Sequence, residues 1–277
     1  MLDFEGKQPP RNLLSKTVAE QAQRLTSIVE ARRYSAEELV ARRMAVNEWV
    51  IRSSSHIRTS SFQSISTADL GLLFHAIDEM FLEGCLSPVC EAMASRPLRF
   101  RLSTRMTSTG GTTTMRVHRQ DNQQRYFEIA IATTPLFETF RTESIAQVGG
   151  VNCTNRLDAL QRVMEHEMVH LVEMLLWQTS SCSAPRFQGI VKRVFGHTEP
   201  KHRMLTPRDI AQKRIGITVG DRIMFEHQGE TLVGTVNRIS KRATVLVPSE
   251  NSKGILFSDG KRYFKFYVPL SRLKPMK

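Results

Sequence analysis

The stretch Glu165-His166-Glu167-Met168-Val169-His170 holds three residues whose types and spacing define a specific chemistry. Residues four apart on a helix stack on one face, so the imidazoles of His166 and His170 can bind the same ion. Glu167 lies beside the first of them, where its carboxylate can take a proton from a water that such an ion activates. This is the physical content of the H-E-x-x-H pattern of zinc peptidases. A chance match in a chain this long has a probability on the order of one in a hundred, so the pattern outweighs any lone histidine. Without a metal, the same residues would be polar positions at the edge of an amphipathic helix's core face.

The helix that must carry them is predicted from about Arg156 to Trp177. Asn155 supplies its N-cap, and Asp158 adds negative charge in its first turn. Leu157, Leu160, Val163, Met164, Leu171, Met174 and Leu175 form a wide apolar stripe, so the helix is expected to be central. Glu173 follows His170 by three residues. It can orient an imidazole, or stand as an ordinary solvent or core-edge carboxylate. A second helix is predicted after Cys182, with Ser183 as N-cap, Pro185 in its first turn and Gly196 as its stop. Phe187, Ile190, Val191, Val194 and Phe195 give it one packing face, and the pair reads as a helical hairpin.

Upstream, residues 1 to 13 contain Gly6, Pro9 and Pro10 and read as an irregular lead-in. From about Leu14 to Arg52 apolar residues recur at helical spacing, and Ser35 with Glu38 forms a capping box that starts the second of two helices. This part reads as a helical extension, separated by a Ser- and Thr-rich linker near residues 53 to 67. An amphipathic helix follows, with Leu70, Leu73, Phe74, Ile77, Met80 and Phe81, stopped by Gly84; His75 within it reads as a surface or core-edge residue. The period then turns toward two at Leu98, Phe100 and Leu102, around Gly110-Gly111, and over Tyr126 to Ile131, which predicts strands.

The chain has 277 residues, enough for two domains or one with extensions. No apolar run is long enough to span a membrane and the first residues lack a signal-peptide pattern, so the expected location is cytoplasmic. Cys85, Cys90, Cys153 and Cys182 are widely spaced without a C-x-x-C pair, which argues for reduced thiols rather than a disulfide framework or zinc ribbon. The net charge of +12 lies entirely in the last third, where residues 184–277 hold 19 Lys and Arg against 7 Asp and Glu. A cationic region of that kind suits phosphate backbones, although a solvated basic face has the same composition.

With these residues in view, the chain resembles the SprT-like family of zinc metallopeptidases, relatives of the DNA-protein crosslink protease Spartan. The similarity covers roughly residues 67 to 205. It rests on the helix from Phe74 to Gly84, on strands before His166-Glu167-Met168-Val169-His170, and on Pro185-Arg186-Phe187 with Phe195-Gly196-His197-Thr198. The resemblance implies an α+β, zincin-like metallopeptidase core, one Zn2+ held by His166 and His170, and Glu167 as general base. It also implies a cytoplasmic or nucleoid-associated protein acting on DNA-bound proteins. Family members carry a third histidine in a His-Gly-x-x-Phe motif, and here that frame reads Ser183-Ala184-Pro185-Arg186-Phe187.

A catalytic zinc needs three protein ligands and an open position, so either another residue takes that place or the site is weakened. His166 lies roughly 16 Å before the end of the first helix, and an antiparallel second helix returns about 18 Å at 1.5 Å per residue, which brings His197 back near His166. Cys182, whose thiolate would bind zinc well, is the second candidate and His202 the third.

Beyond a short connector, Gly220–Phe225, Thr231–Val236, Ala243–Val247 and Tyr263–Val268 read as four strands with turns at Gly229, Lys241 and Gly260. Pro269 to Leu273 would close a small barrel, and the pattern resembles SH3-like barrels of the KOW or Tudor type. Arg238, Lys241, Arg242, Lys261, Arg262 and Lys265 interleave with aromatics, a composition that can hold phosphates and stack on unpaired bases. The organisation expected is therefore residues 1–66 as extension and linker, 67–205 as peptidase and 216–277 as a basic SH3-like barrel. The function expected is a zinc-dependent endopeptidase tethered to nucleic acid. The competing reading is a nucleic-acid-binding adaptor whose metal site is structural or empty.

Overall fold

The computed structural model describes residues 16–199, 202–249 and 253–276, so the lead-in expected over residues 1 to 13 lies outside the described residues. The protein is α+β, and the chain divides into two compact units, Met1–Met204 and Leu205–Lys277. In the first unit α1 (Lys16–Ala31) and α2 (Ala36–Ser53) precede α3 (Thr67–Leu82) and α4 (Leu86–Met93). Strands β1 (Arg99–Ser103), β2 (Gly111–His118) and β3 (Asp121–Ala132) follow. Then come α5 (Thr133–Thr142), β4 (Ala146–Val148), β5 (Val151–Cys153), α6 (Arg156–Trp177), α7 (Pro185–Phe195) and β6 (His202–Arg203).

The local signals for the helices are realised in detail. Ser35 and Glu38 form the capping box of α2, and Asn155 accepts from the Asp158 backbone to cap α6. A further box, Ser66 with Asp69, opens α3. Helix α7 departs from expectation at its start: its N-cap is Ala184, with no side-chain cap, and Pro185 fills the first turn, where a missing N–H costs nothing. Gly196 ends α7 at φ 64°, a conformation that glycine adopts without strain.

Helix α6 is the centre of this unit. Apolar side chains from α1, α2, α3, α4, the strands and α7 join one hydrophobic core around Leu160, Val163, Met164 and Leu171. The first two helices are thus not an extension. Leu25, Val29, Val46 and Val50 are fully buried in that same core, and Tyr34 donates to the Phe81 carbonyl at 3.0 Å. Nor is the Ser-rich stretch a free linker. Ile57 and Phe62 are buried, Ser54 donates to Asp69 at 2.6 Å, and Arg156 donates to the Ser61 and Phe62 carbonyls at 3.1 and 2.8 Å. Composition marked this segment as polar, but two apolar plugs and a buried arginine are enough to fasten it.

Beside α6 lies a three-stranded sheet in the order β1-β3-β2, with β1 parallel and β2 antiparallel to β3, so β2 is an edge strand. A second small sheet, β5-β4-β6, was not legible in sequence because its strands have two or three residues.

The second unit contains α8 (Pro207–Ile210), a π-helical turn, and strands β7 (Arg222–His227), β8 (Glu230–Ile239) and β9 (Arg242–Pro248). It ends with β10 (Ile255–Leu256), β11 (Arg262–Pro269) and β12 (Lys274–Pro275). The four long strands match the four predicted ones. They form one sheet in the order β10-β11-β9-β8-β7-β12 over a separate core that includes Ile223, Phe225, Val236, Val245 and Val268. The sheet is not a closed barrel. The segment expected to close it is a 3-10 turn, Leu270–Arg272, and the two-residue β12 pairs only with β7 at one edge.

Candidate metal centre

His166 and His170 occupy one face of α6 with their Nε2 atoms 3.2 Å apart. Two nitrogens bound tetrahedrally to zinc at about 2.0–2.1 Å stand about 3.3 Å apart, so this separation suits a shared ion. Phe187 of α7 packs against both rings, at centroid distances of 4.8 and 4.4 Å, and fixes their planes. Cys182, in the turn before α7, is the third group that could share an ion with them: its Sγ and the two imidazole nitrogens all lie within 4.8 Å of one another. Cys182 is also the only exposed cysteine. Burial pushes the Cys90 and Cys153 thiols up to about 12, which keeps them protonated and inert.

The structure does not bring His197 to this cluster. Its Nε2 lies 2.9 Å from Glu165 Oε2, with both side chains fully buried. The second Glu165 oxygen receives Arg162 and Gln161, each at 3.1 Å. Rise per residue placed His197 at the correct height along α6 but not on the correct side. Glu165 precedes His166 by one residue, which is about 100° around a helix. His202 lies in β6, paired by its backbone with Val148.

A chain of hydrogen bonds supports His170 from behind. Its Nδ1 is 2.7 Å from Ser180 Oγ, and Ser180 donates its only hydroxyl proton to Glu173 Oε2 at 2.6 Å. The hydroxyl must therefore accept from His170 Nδ1–H, which leaves the Nε2 lone pair aimed at the cluster. Arg186 holds the other Glu173 oxygen at 2.7 Å and lies over the Trp177 ring. Burial holds His170 below its ordinary pKa against the opposing pull of Glu173, so the imidazole is neutral, as a ligand must be.

Glu167 is almost wholly buried against β2. Thr113 donates its hydroxyl to Glu167 Oε2 at 2.8 Å, and the Thr113 backbone also bonds to it. Burial raises its pKa to about 8, against the lowering effect of those bonds. The close approach depends on Gly111: a Cβ there would stand 2.7 Å from Glu167 Oε1. His166, Glu167, His170 and Cys182 all line one cleft of about 600 Å³, whose other wall is Ser108, Thr109, Gly111, Thr112 and Thr113.

Sequence reasoning missed Ser180, Thr113 and Gly111 as parts of this site. The first two carry no spacing signal, since they come from a loop and a strand that only folding brings to α6. Gly111 was legible as a turn glycine, not as a seat for a carboxylate. In the second unit, Arg238, Arg242 and Lys265 share one sheet face. Lys241 lies in the β8–β9 turn and Lys261 just before β11, while Arg262 donates to the Gly254 carbonyl.

Among the described residues no helix is long and apolar enough to cross a membrane. Comparison of the chain with family models, curated proteins and solved structures found no match to any of them.

Proposed function

We propose that this protein is a zinc-dependent endopeptidase with a zincin-like, SprT-like core and a basic, SH3-like C-terminal unit that tethers it to nucleic acid. The observation that carries the reading is the convergence of His166, His170 and Cys182 ligand atoms within 4.8 Å, in the same cleft as Glu167. Two imidazoles and a thiolate suit zinc better than a hard cation such as magnesium or calcium. When bound, the ion supplies Lewis acidity for the scissile carbonyl and the attacking water.

The chain's own residues do the rest. Burial alone keeps the Glu167 carboxyl protonated, and a cation bound beside it would favour the ionised form, in which it accepts the proton of the attacking water and passes it to the leaving amine while Thr113 holds Oε2. Ser180 and Glu173 hold His170 in the tautomer that keeps Nε2 unprotonated. Strand β2, the sheet's edge, lines the cleft with Gly111, Thr112 and Thr113, where an extended peptide can add as a further strand. The second unit holds 14 Lys and Arg against 6 Asp and Glu over residues 205–277, a charge that concentrates the enzyme near nucleic acid and the proteins on it.

The test is metal analysis coupled to proteolysis of a DNA-bound protein. The purified chain is expected to carry one zinc, and Glu167→Gln to retain it while losing roughly 100-fold or more in cleavage rate. A folded chain that takes up no zinc would sink the proposal and favour a nucleic-acid-binding adaptor.

A further inference from the structure

The register of the C-terminal sheet sorts its side chains into two faces, because neighbours across strands point the same way. One face is the hydrophobic core of that unit, with Val236, Val245 and Phe266 in a single lateral row. The opposite face repeats a different pattern. Arg222, Thr235, Leu246 and Lys265 make one row, and Arg238, Thr244 and Tyr267 make the next; the cations and the tyrosine stand exposed at the row ends, with Leu246 and Thr244 buried between them. Arg242, two residues before Thr244 on β9, adds a cation diagonal to Tyr267.

Tyr267 is 64% exposed, the most exposed large hydrophobic or aromatic side chain among the described residues. A single exposed ring needs no explanation in itself. Its surroundings do. Lys265 is two residues away on the same strand and face, and Arg238 stands two strands over, about 10 Å at the usual strand spacing. Arg222, Arg238, Arg242 and Lys265 are all exposed, and among the described residues none takes part in an ion pair. Cations gathered on one face repel one another, and an anionic ligand relieves that repulsion. In an intact duplex the base faces are already stacked on one another, so the ring among the cations has no base to stack on. A single strand offers phosphates to the cations and an unstacked base to the ring.

We propose that this face binds single-stranded nucleic acid, with a base stacked on Tyr267 and the flanking phosphates held by Arg238, Arg242 and Lys265. This rests on the tether reading above and names the form of nucleic acid that it recognises. The enzyme would then be concentrated where a duplex is opened rather than along intact duplex.

The test uses the full chain and fluorescence anisotropy with labelled oligo(dT), oligo(rU) and a mixed-sequence duplex. Single strands are expected to bind about tenfold tighter than the duplex. Tyr267→Ala should remove most of that preference, weakening single-strand binding about tenfold with little effect on duplex, and Tyr267→Trp should restore it. Arg238→Glu should weaken binding and lower the salt slope by about one or more. Equal binding of single strand and duplex, unchanged by Tyr267→Ala, would overturn this proposal and leave the tether standing. Absence of all binding at low salt would overturn both. Circular dichroism keeps the result readable, since these side chains are exposed and their replacement leaves the core intact.

Discussion

At the scale of single residues, Cys182, the second candidate for the third ligand, stands in the place expected of His197. His197 belongs to a buried cluster with Glu165, Arg162 and Gln161 behind the cleft, while Cys182 faces it. Cys182→Ser is therefore expected to lower zinc content sharply with the fold retained. His197→Ala should keep the zinc site and instead cost stability. Removing the hydrogen-bond partner of a buried polar group costs about 1–3 kcal/mol, and chemical denaturation with parallel metal analysis separates the two outcomes. Glu167 offers a second check in metal-free protein. Its pKa rises from an ordinary 4.5 to about 8 on folding, so between those values the folded state holds the extra proton. Stability from this group is fully present below about 4.5 and is lost as the pH rises through 8. The melting temperature of the metal-free chain should fall across that window, and Glu167→Gln should flatten the fall.

At the scale of elements, α6 and β2 form the working pair. The helix presents the ligands, and the strand supplies the hydroxyl and the gap that seat Glu167. Gly111→Ala fills that gap and must push the carboxylate away. Proteolysis is expected to drop by at least about tenfold, with zinc content unchanged because no ligand moves. Equal activity in the alanine variant would show that Glu167 is not held where the reaction needs it. Much of this level was legible in the residues. The caps of α2 and α6, the apolar stripe of α6, the Gly196 stop and the four long C-terminal strands follow from local patterns that act within a few residues. Helices α4 and α5 and the short β4, β5 and β6 do not, since they are too brief for a period to accumulate.

For the molecule as a whole, the boundary that matters lies near Leu205 rather than near Thr67. A chain beginning at Thr67 would expose the core surface that Leu25, Val29, Val46 and Val50 cover. It is expected to be insoluble or molten, whereas a chain ending near Met204 should fold cooperatively and bind zinc; thermal denaturation of both truncations checks this. The Ser-rich composition of residues 53–67 concealed that continuity, because polarity marks a segment as able to face water without saying what its few apolar side chains do. By itself, the sequence determined the pairing of His166 with His170, the Glu167 beside them, the helix that carries all three and the basic excess of the last third. These depend on neighbours along one helix or on composition. Tertiary structure alone decided that Cys182 joins the histidines, that His197 turns to Glu165, and that Ser180, Thr113 and Gly111 shape the site. Each of those depends on the angle at which a loop or strand returns to α6, and a spacing in sequence fixes a distance along the chain but not a direction around a helix.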